Sequence, residues 1–336
     1  MVNAKTEPWR APASPSSPLF VLTRQLPGPA PEMLSAVGKL RLLESRADPA
    51  TELREAAAVD ATVICSQLTD VLDRKFFESA GPQLLAVCNY AAGYDNIDVA
   101  AATDHRILVT NTPDVLTTAT ADHTMGLILA AARRLCEGDA VMRAGRFPGW
   151  SPTYMLGADL DGATLALIGY GRIARAVAKR ALAFGMRIVY VNTGTAVDEV
   201  PGAERVGLAE ALRRADVLSI HVPLNSRTRH LIGAEELKAM KPTAIVVNTA
   251  RGPIIDERAL VKALRTGTIA AAGLDVYERE PDLTPGLAEC ANAVLSPHLG
   301  SATRGTRAAM ARVCAANAVA VAAGQMPPNA VNPDAR

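Results

Sequence analysis

Three short segments in the last third of the chain carry residue types suited to acid–base chemistry. They are Asn248-Thr-Ala-Arg251-Gly252, Asp275-Val-Tyr-Glu278-Arg279-Glu280-Pro281 and Ser296-Pro-His298-Leu-Gly300-Ser301. Reduction of a 2-keto acid needs a proton donor for the oxygen that becomes a hydroxyl, a cation for the carboxylate and carbonyl, and an acid that keeps the donor imidazole protonated. His298, Arg251 and Glu280 can supply these in that order. Taken singly each has a plainer reading, since most polar loop residues are not catalytic: Arg251 could cap a helix terminus, Glu280 could be solvated, and His298 could be a hydrogen-bonded loop histidine. Their coincidence at the ends of expected strands favours catalysis, because open parallel sheets bind ligands beyond the carboxyl ends of their strands. His105, His123, His221 and His230 have no matching neighbourhood; His221, opening His-Val-Pro223-Leu after a strand, reads as part of a cofactor-side loop.

A second kind of chemistry is written in Leu165-Ala-Leu-Ile-Gly169-Tyr170-Gly171-Arg172-Ile173-Ala174. In a dinucleotide fold the first Gly makes a tight turn, the second lets a diphosphate approach the helix N-terminus, and a small third residue, here Ala174, permits close helix-to-strand packing. A GxGxxA string alone is weak, but a strand precedes it, a helix follows, and a second strand ends some 20 residues on. That second strand runs Val189-Tyr-Val-Asn192-Thr193-Gly-Thr195, with Asn192 where an acid would grip the adenosine ribose of NAD. A neutral amide gives up that carboxylate and its repulsion of a 2′-phosphate, so the cofactor is NADP or NAD with a slight lean to NADP. No Arg follows directly to clamp the phosphate, and Asn192 also suits a plain turn.

These residues need strands and helices to hold them. From Leu19 onward, short Val/Ile/Leu runs alternate with longer amphipathic stretches, the mark of an α/β fold with parallel strands and crossover helices. Strands are expected at Phe20–Leu22, Thr62–Ile64 and Leu84–Val87. A further six, at Thr164–Ile168, Arg187–Val191, Val217–Ile220, Ala244–Val247, Ala272–Asp275 and Ala293–Leu295, make a doubly wound sheet. Thr117 to Arg146 reads as one long connecting helix, followed by a crossing loop from Phe147 to Leu156. Thr303 to Ala323 reads as an Ala-rich helix returning to the first domain. The expected organisation is a flexible tail at 1–17, a discontinuous substrate domain at 18–112 and 301–336, and a dinucleotide-binding domain at 113–300.

Composition narrows the partners. A chain of 336 residues has room for about two domains. Its 49% hydrophobic and 21% charged residues describe a packed globular protein, and a net charge of +1 provides no basic excess for nucleic acid or an anionic membrane. No apolar run approaches the roughly 20 residues of a spanning helix. The Pro-rich start is no secretory signal. Five scattered cysteines, without metal-ligand spacing, read as buried thiols in a reducing compartment, so no metal is expected and a cytoplasmic location is.

Together the segments resemble the D-isomer-specific 2-hydroxyacid dehydrogenases. The resemblance runs from Asn89-Tyr-Ala-Ala-Gly93-Tyr-Asp-Asn-Ile-Asp98 through Thr120-Ala-Asp-His-Thr124, the Gly-rich turn, His221-Val-Pro-Leu-Asn225 and Asn248-Thr-Ala-Arg-Gly252. It continues to Gly273–Pro281 and Ser296–Gly300. Within the family the chain looks most like glyoxylate, hydroxypyruvate and 2-ketogluconate reductases, through Asn89-Tyr90 and Arg143-Ala-Gly-Arg-Phe-Pro-Gly-Trp150-Ser-Pro152. The resemblance implies a Rossmann dinucleotide-binding domain plus a discontinuous flavodoxin-like substrate domain, and hydride transfer between NAD(P)H and a small 2-keto acid to give the D-2-hydroxy acid. It implies Arg251 as the substrate-binding arginine, His298 as general acid and base, and Glu280 rather than Glu278 as the histidine's partner. Backbone N–H groups of Ala92 and Gly93 would bind the substrate carboxylate, and Asp275 would hold the nicotinamide carboxamide with Thr120 facing its ring. Gly169, Gly171, Arg172, Ile173, Asn192, Thr193, His221, Pro223, Thr249 and Gly300 would complete the cofactor site. Trp150 would lie near the substrate, contributed by the partner of a homodimer, with core packing as the plainer reading. Where phosphite-oxidising relatives carry Lys this chain has Ala92, which argues against phosphite. A different class of function, a dinucleotide-sensing corepressor-like binding protein without significant turnover, is the alternative; such relatives usually carry longer tails.

Overall fold

The computed structural model describes residues 17–43, 49–192, 194 and 200–335. Of the expected tail only Ser17 falls inside that range, and Thr193 and Thr195 lie outside it. The chain forms two compact units, Met1–Leu116 with Thr303–Arg336, and Thr117–Ala302. The divisions thus fall a few residues after the expected ones.

In the first unit, β1 (Leu19–Leu22), β2 (Lys39–Leu42), β3 (Val63–Ser66), β4 (Ala86–Asn89) and β5 (Leu108–Thr110) form a parallel sheet in the order β2-β1-β3-β4-β5, that of flavodoxin-like folds. Side chains alternate between faces as a strand requires. Phe20 and Leu22 pack with Met310, Cys314 and Val321, while Val21 packs with Leu53, Phe76 and Phe77 on the other side. The helix Arg304–Ala322, capped by the Thr303 hydroxyl on the Thr306 N–H, covers β3 and β4 and supplies much of the first core. Sequence reasoning missed β2, an edge strand carrying Lys39 and Arg41, and β5, which has only three residues.

In the second unit, β6 (Thr164–Ile168), β7 (Arg187–Val191), β8 (Ala203–Arg205), β9 (Val217–Ile220), β10 (Ile245–Asn248), β11 (Ala271–Leu274) and β12 (Ala293–Leu295) form a parallel sheet ordered β12-β11-β10-β9-β6-β7-β8. Counted from β6, this is the Rossmann order with one strand added after the sixth, and it reverses between β6 and β9. Leu165 and Leu167 face Ile128 and Val177, whereas Ala166 and Ile168 face Leu212 and Leu260. Six strands were expected. The additional one, β8, is a polar, largely exposed edge strand of sequence Ala-Glu-Arg with no apolar period to reveal it.

Two expectations are corrected. The long helix is two helices, Thr117–Ala132 and Leu135–Arg143, because Arg134 takes a left-handed conformation (φ 52°) and its guanidinium turns to the Glu137 carboxylate at 2.7 Å. The first helix buries nine side chains and the second none, so no core holds the two in one line. Cys136, on the second helix, is exposed, while the other four cysteines are buried. Among the described residues no helix is long and apolar enough to cross a membrane.

Candidate active site

The Gly-rich turn joins β6 to the helix Arg172–Ala183 at the point where the strand order reverses. Gly169 has φ +91°, and a Cβ there would come within 2.6 Å of the His221 carbonyl oxygen, so only glycine fits. That approach places the β9 loop, with His221 and the exposed Pro223, beside the turn; the His221 N–H also donates to the Ile168 carbonyl at 2.7 Å. Gly171 begins the helix without a side-chain cap, and a Cβ on it would meet nothing within 4 Å. Uncapped N–H groups beside open space suit the diphosphate of a dinucleotide. Ala174 is fully buried against the strand, whereas Arg172 is exposed and Ile173 half-buried. Burial pushes the His221 imidazole down to about 4, so it stays neutral near pH 7, with Nε2 2.9 Å from Ser219 Oγ.

At the ends of β10, β11 and β12 the three catalytic candidates gather in one unit. His298 Nδ1 lies 2.9 Å from Glu280 Oε2, and Glu280 Oε1 accepts the Tyr277 N–H at 3.1 Å. Partial burial raises the carboxyl of Glu280, but His298, the Tyr277 N–H and the charge of Arg251 outweigh it and hold the group below its ordinary value. Glu278 is engaged elsewhere, 2.7 Å from His230 Nε2. Arg251 follows β10 in a turn fixed by Asn248, whose amide donates to the Arg251 carbonyl at 2.8 Å and whose Oδ1 accepts the Ala250 N–H at 3.0 Å. A Cβ on Gly252 would fall 1.9 Å from the Tyr277 carbonyl carbon. The Arg251 and Glu280 loops therefore touch backbone to backbone.

Beneath His298 lies a network that sequence reasoning missed. His298 has φ 56°, a strained region for a residue with a Cβ, and its N–H donates to the Asp275 carbonyl at 2.9 Å. The Asp275 carboxylate accepts the Leu299 and Gly300 N–H groups, both at 2.7 Å, and the Ser296 hydroxyl at 2.6 Å; His123 Nε2 lies 3.0 Å from its Oδ1. Burial works to raise this carboxyl, yet these partners hold it below its ordinary value. His123, set aside for want of a matching neighbourhood, is thus a member of the site, brought in by the helix Thr117–Ala132 from 152 residues away. The same helix carries Thr120, whose side chain would be 3.4 Å from a Cβ on Gly300, and Thr124, which meets Thr249 at 2.9 Å.

Other expected residues lie elsewhere. Ala92 and Gly93 belong to the first unit, in the loop after β4, where the Asn111 and Asn89 amides donate to their carbonyls at 2.7 and 3.0 Å. Those two bonds fix the peptide planes, a role for Asn111 that sequence reasoning missed. Trp150 is 85% exposed in the second unit, which excludes core packing. Asn192 follows β7, with its Oδ1 accepting the Gly194 N–H at 3.2 Å, the geometry of a turn residue. Among the described residues no group of three or more His, Cys, Asp or Glu side chains is arranged to hold a metal ion.

Comparison with known proteins gives a consistent picture. A family profile described as D-isomer specific 2-hydroxyacid dehydrogenase, NAD binding domain, matches residues 125–300. The glyoxylate reductase of Thermococcus litoralis is 45% identical over 325 residues, covering 94% of this chain and 97% of its own, and that of Aeropyrum pernix is 48% identical over 323 residues, covering 94% and 96%. Among solved structures, the NADPH-dependent glyoxylate/hydroxypyruvate reductase of Sinorhizobium meliloti, in complex with NADP and malonate, superposes with a TM-score of 0.83 at 32% identity, covering 95% of this chain and 98% of that one. With its two parallel sheets, its dinucleotide turn and this likeness along nearly its whole length, the chain belongs to the D-isomer-specific 2-hydroxyacid dehydrogenases, NAD(P)-dependent oxidoreductases that interconvert 2-keto and D-2-hydroxy acids.

Proposed function

We propose that the protein is a glyoxylate reductase that also accepts hydroxypyruvate, using NADPH at least as well as NADH. The observation that carries the chemistry is the His298 Nδ1 contact with a Glu280 carboxylate held ionised beside Arg251. With Nδ1 occupied, Nε2 is the nitrogen that gives its proton to the carbonyl oxygen during reduction and takes it back during oxidation. Arg251 grips the substrate carboxylate and carbonyl oxygen through its planar fork. The bound nicotinamide supplies or accepts the hydride. Asp275, with one acceptor direction left on Oδ2, and Thr120 orient the carboxamide side.

The lean to NADP rests on Asn192, which lacks the negative charge that would repel a 2′-phosphate. A homodimer is supported by the exposed apolar side chains of Leu135, Met142, Phe147, Trp150 and Leu156, and Trp150 reaches the partner's substrate site. Five free thiols suit the reducing cytoplasm.

Absorbance at the nicotinamide band, with glyoxylate, hydroxypyruvate and 2-ketogluconate each paired with NADH and NADPH, tests the reading. The expected result is the highest kcat/KM with glyoxylate and NADPH. No turnover with any pair would overturn it and restore the corepressor alternative, which the comparisons do not favour.

A further inference from the structure

The end of β7 lacks an arginine in sequence, yet it has one in space. β8 pairs in parallel with β7 in the register Tyr190 to Arg205, and from there the Arg205 guanidinium reaches forward to donate through Nη2 to the Asn192 carbonyl oxygen at 2.6 Å. That bond uses one of five guanidinium N–H donors. Its neighbour Glu204 does not neutralise it, being held by Arg214 at 2.7 Å, and Arg214 is also bound to Glu210. Among the described residues no carboxylate pairs with Arg205. An exposed cation that no described carboxylate compensates is therefore tethered to the residue just after the second strand of the dinucleotide unit, where in such folds the adenosine ribose binds and an arginine accommodates a 2′-phosphate. An acid at position 192 would repel that phosphate and draw this cation to itself. The Asn192 amide does neither, since its oxygen is turned to the Gly194 N–H.

We propose that Arg205 is the residue that selects 2′-phosphorylated dinucleotides, taking the phosphate through the guanidinium donors that Asn192 leaves unused. The proposal rests on the reading that NADP is the preferred cofactor, and adds that the selecting charge comes from β8.

Calorimetric titration with two cofactor fragments, adenosine 2′,5′-bisphosphate and 5′-AMP, tests this without turnover. The wild-type protein should bind the bisphosphate at least tenfold more tightly than 5′-AMP, as a charge-assisted contact predicts at about tenfold or more. R205Q should remove most of that difference while leaving 5′-AMP within about twofold, and R205K should fall between, because an ammonium keeps charge without the fork. If the wild-type protein binds both fragments equally, the NADP reading fails and the role of Arg205 fails with it. If it prefers the bisphosphate and R205Q prefers it as strongly, the NADP reading stands and the role of Arg205 is overturned. Equal weakening of both fragments, with a lowered melting temperature, would make Arg205 a structural strand residue and also overturn its role.

Discussion

The two ends of the dinucleotide-binding sheet are built differently. Where β10, β11 and β12 end, the candidate groups are restrained from more than one direction: the Asp275 carboxylate by four groups, the Glu280 carboxylate by His298 and the Tyr277 N–H, and His298 by Nδ1 and its backbone N–H. Where β7 ends, among the described residues, Asn192 makes a single internal turn bond and Arg205 a single bond to a backbone oxygen. Acid–base catalysis depends on tenths of an ångström in donor position, so its residues need overlapping restraints. Discrimination between two cofactors depends on the presence of a charge, which one exposed side chain can provide. On the proposed reading, changes at the first end should lose the reaction, whereas changes at the second should lose only its preference.

The strongest way to break this contrast is at the chemistry. His298→Asn should lower kcat for keto acid reduction by roughly a thousandfold, within the range for removal of a general acid, and Arg251→Lys should lose most kcat/KM although the charge is kept. Steady-state rates check both, and near wild-type turnover in either would remove that residue from the mechanism.

Next in size is a pair of glycine variants. Gly252→Ala pushes a methyl into the Tyr277 backbone and should cost about 3 kcal/mol or more of stability, separating the Arg251 and Glu280 loops. Gly171→Ala, whose methyl meets nothing, should melt near the wild-type temperature and show its effect in cofactor affinity. Calorimetric melting distinguishes them; equal stability would mean that the close loop contact is not a constraint.

A smaller effect is expected at the ribose end. Asn192→Asp should cut NADPH kcat/KM about tenfold, equivalent to roughly 1.4 kcal/mol of repulsion, while raising that for NADH. An unchanged ratio of the two efficiencies would show that the charge at this position does not set preference.

The last expected effect is on stability alone and concerns acid. His221 titrates near 4 in the fold and near its ordinary 6.5 when unfolded, so between those values the unfolded chain binds a proton that the folded one does not. Stability should therefore decline as pH falls from about 6.5 to 4. His221→Asn should flatten that part of the urea-midpoint profile, and identical slopes would mean the imidazole is solvated.

Much of this was legible in the sequence because it is local. Strands of β-branched residues, a GxGxxA turn between strand and helix, and Arg, Glu and His beyond strand ends are each written within a few neighbouring residues. What escaped depends on contacts across the chain. His123 gains its role from Asp275 and Ser296, far away in sequence, and Arg205 gains its own from a three-residue edge strand with no hydrophobic period. The break at Arg134 escaped because Ala and Leu favour helix on both sides, and only the side chain's bond to Glu137 and the change from buried to exposed surroundings reveal it.

The helix Arg304–Ala322 has a consequence in time. It follows every other described helix in the chain, yet Phe20, Leu22 and Cys88 need its Met310, Cys314 and Val321 to complete their core. Val331 also hands its N–H to the Val109 carbonyl, and the Asn332 Oδ1 accepts the Val109 N–H at 2.7 Å. The segment Thr117–Ala302 is fully synthesised before that helix emerges and contains all the strands of its own sheet. Domains usually fold during synthesis as their chains are completed. Here the unit begun first closes after the second, and until the helix Arg304–Ala322 emerges its unfinished apolar face is what a chaperone would meet.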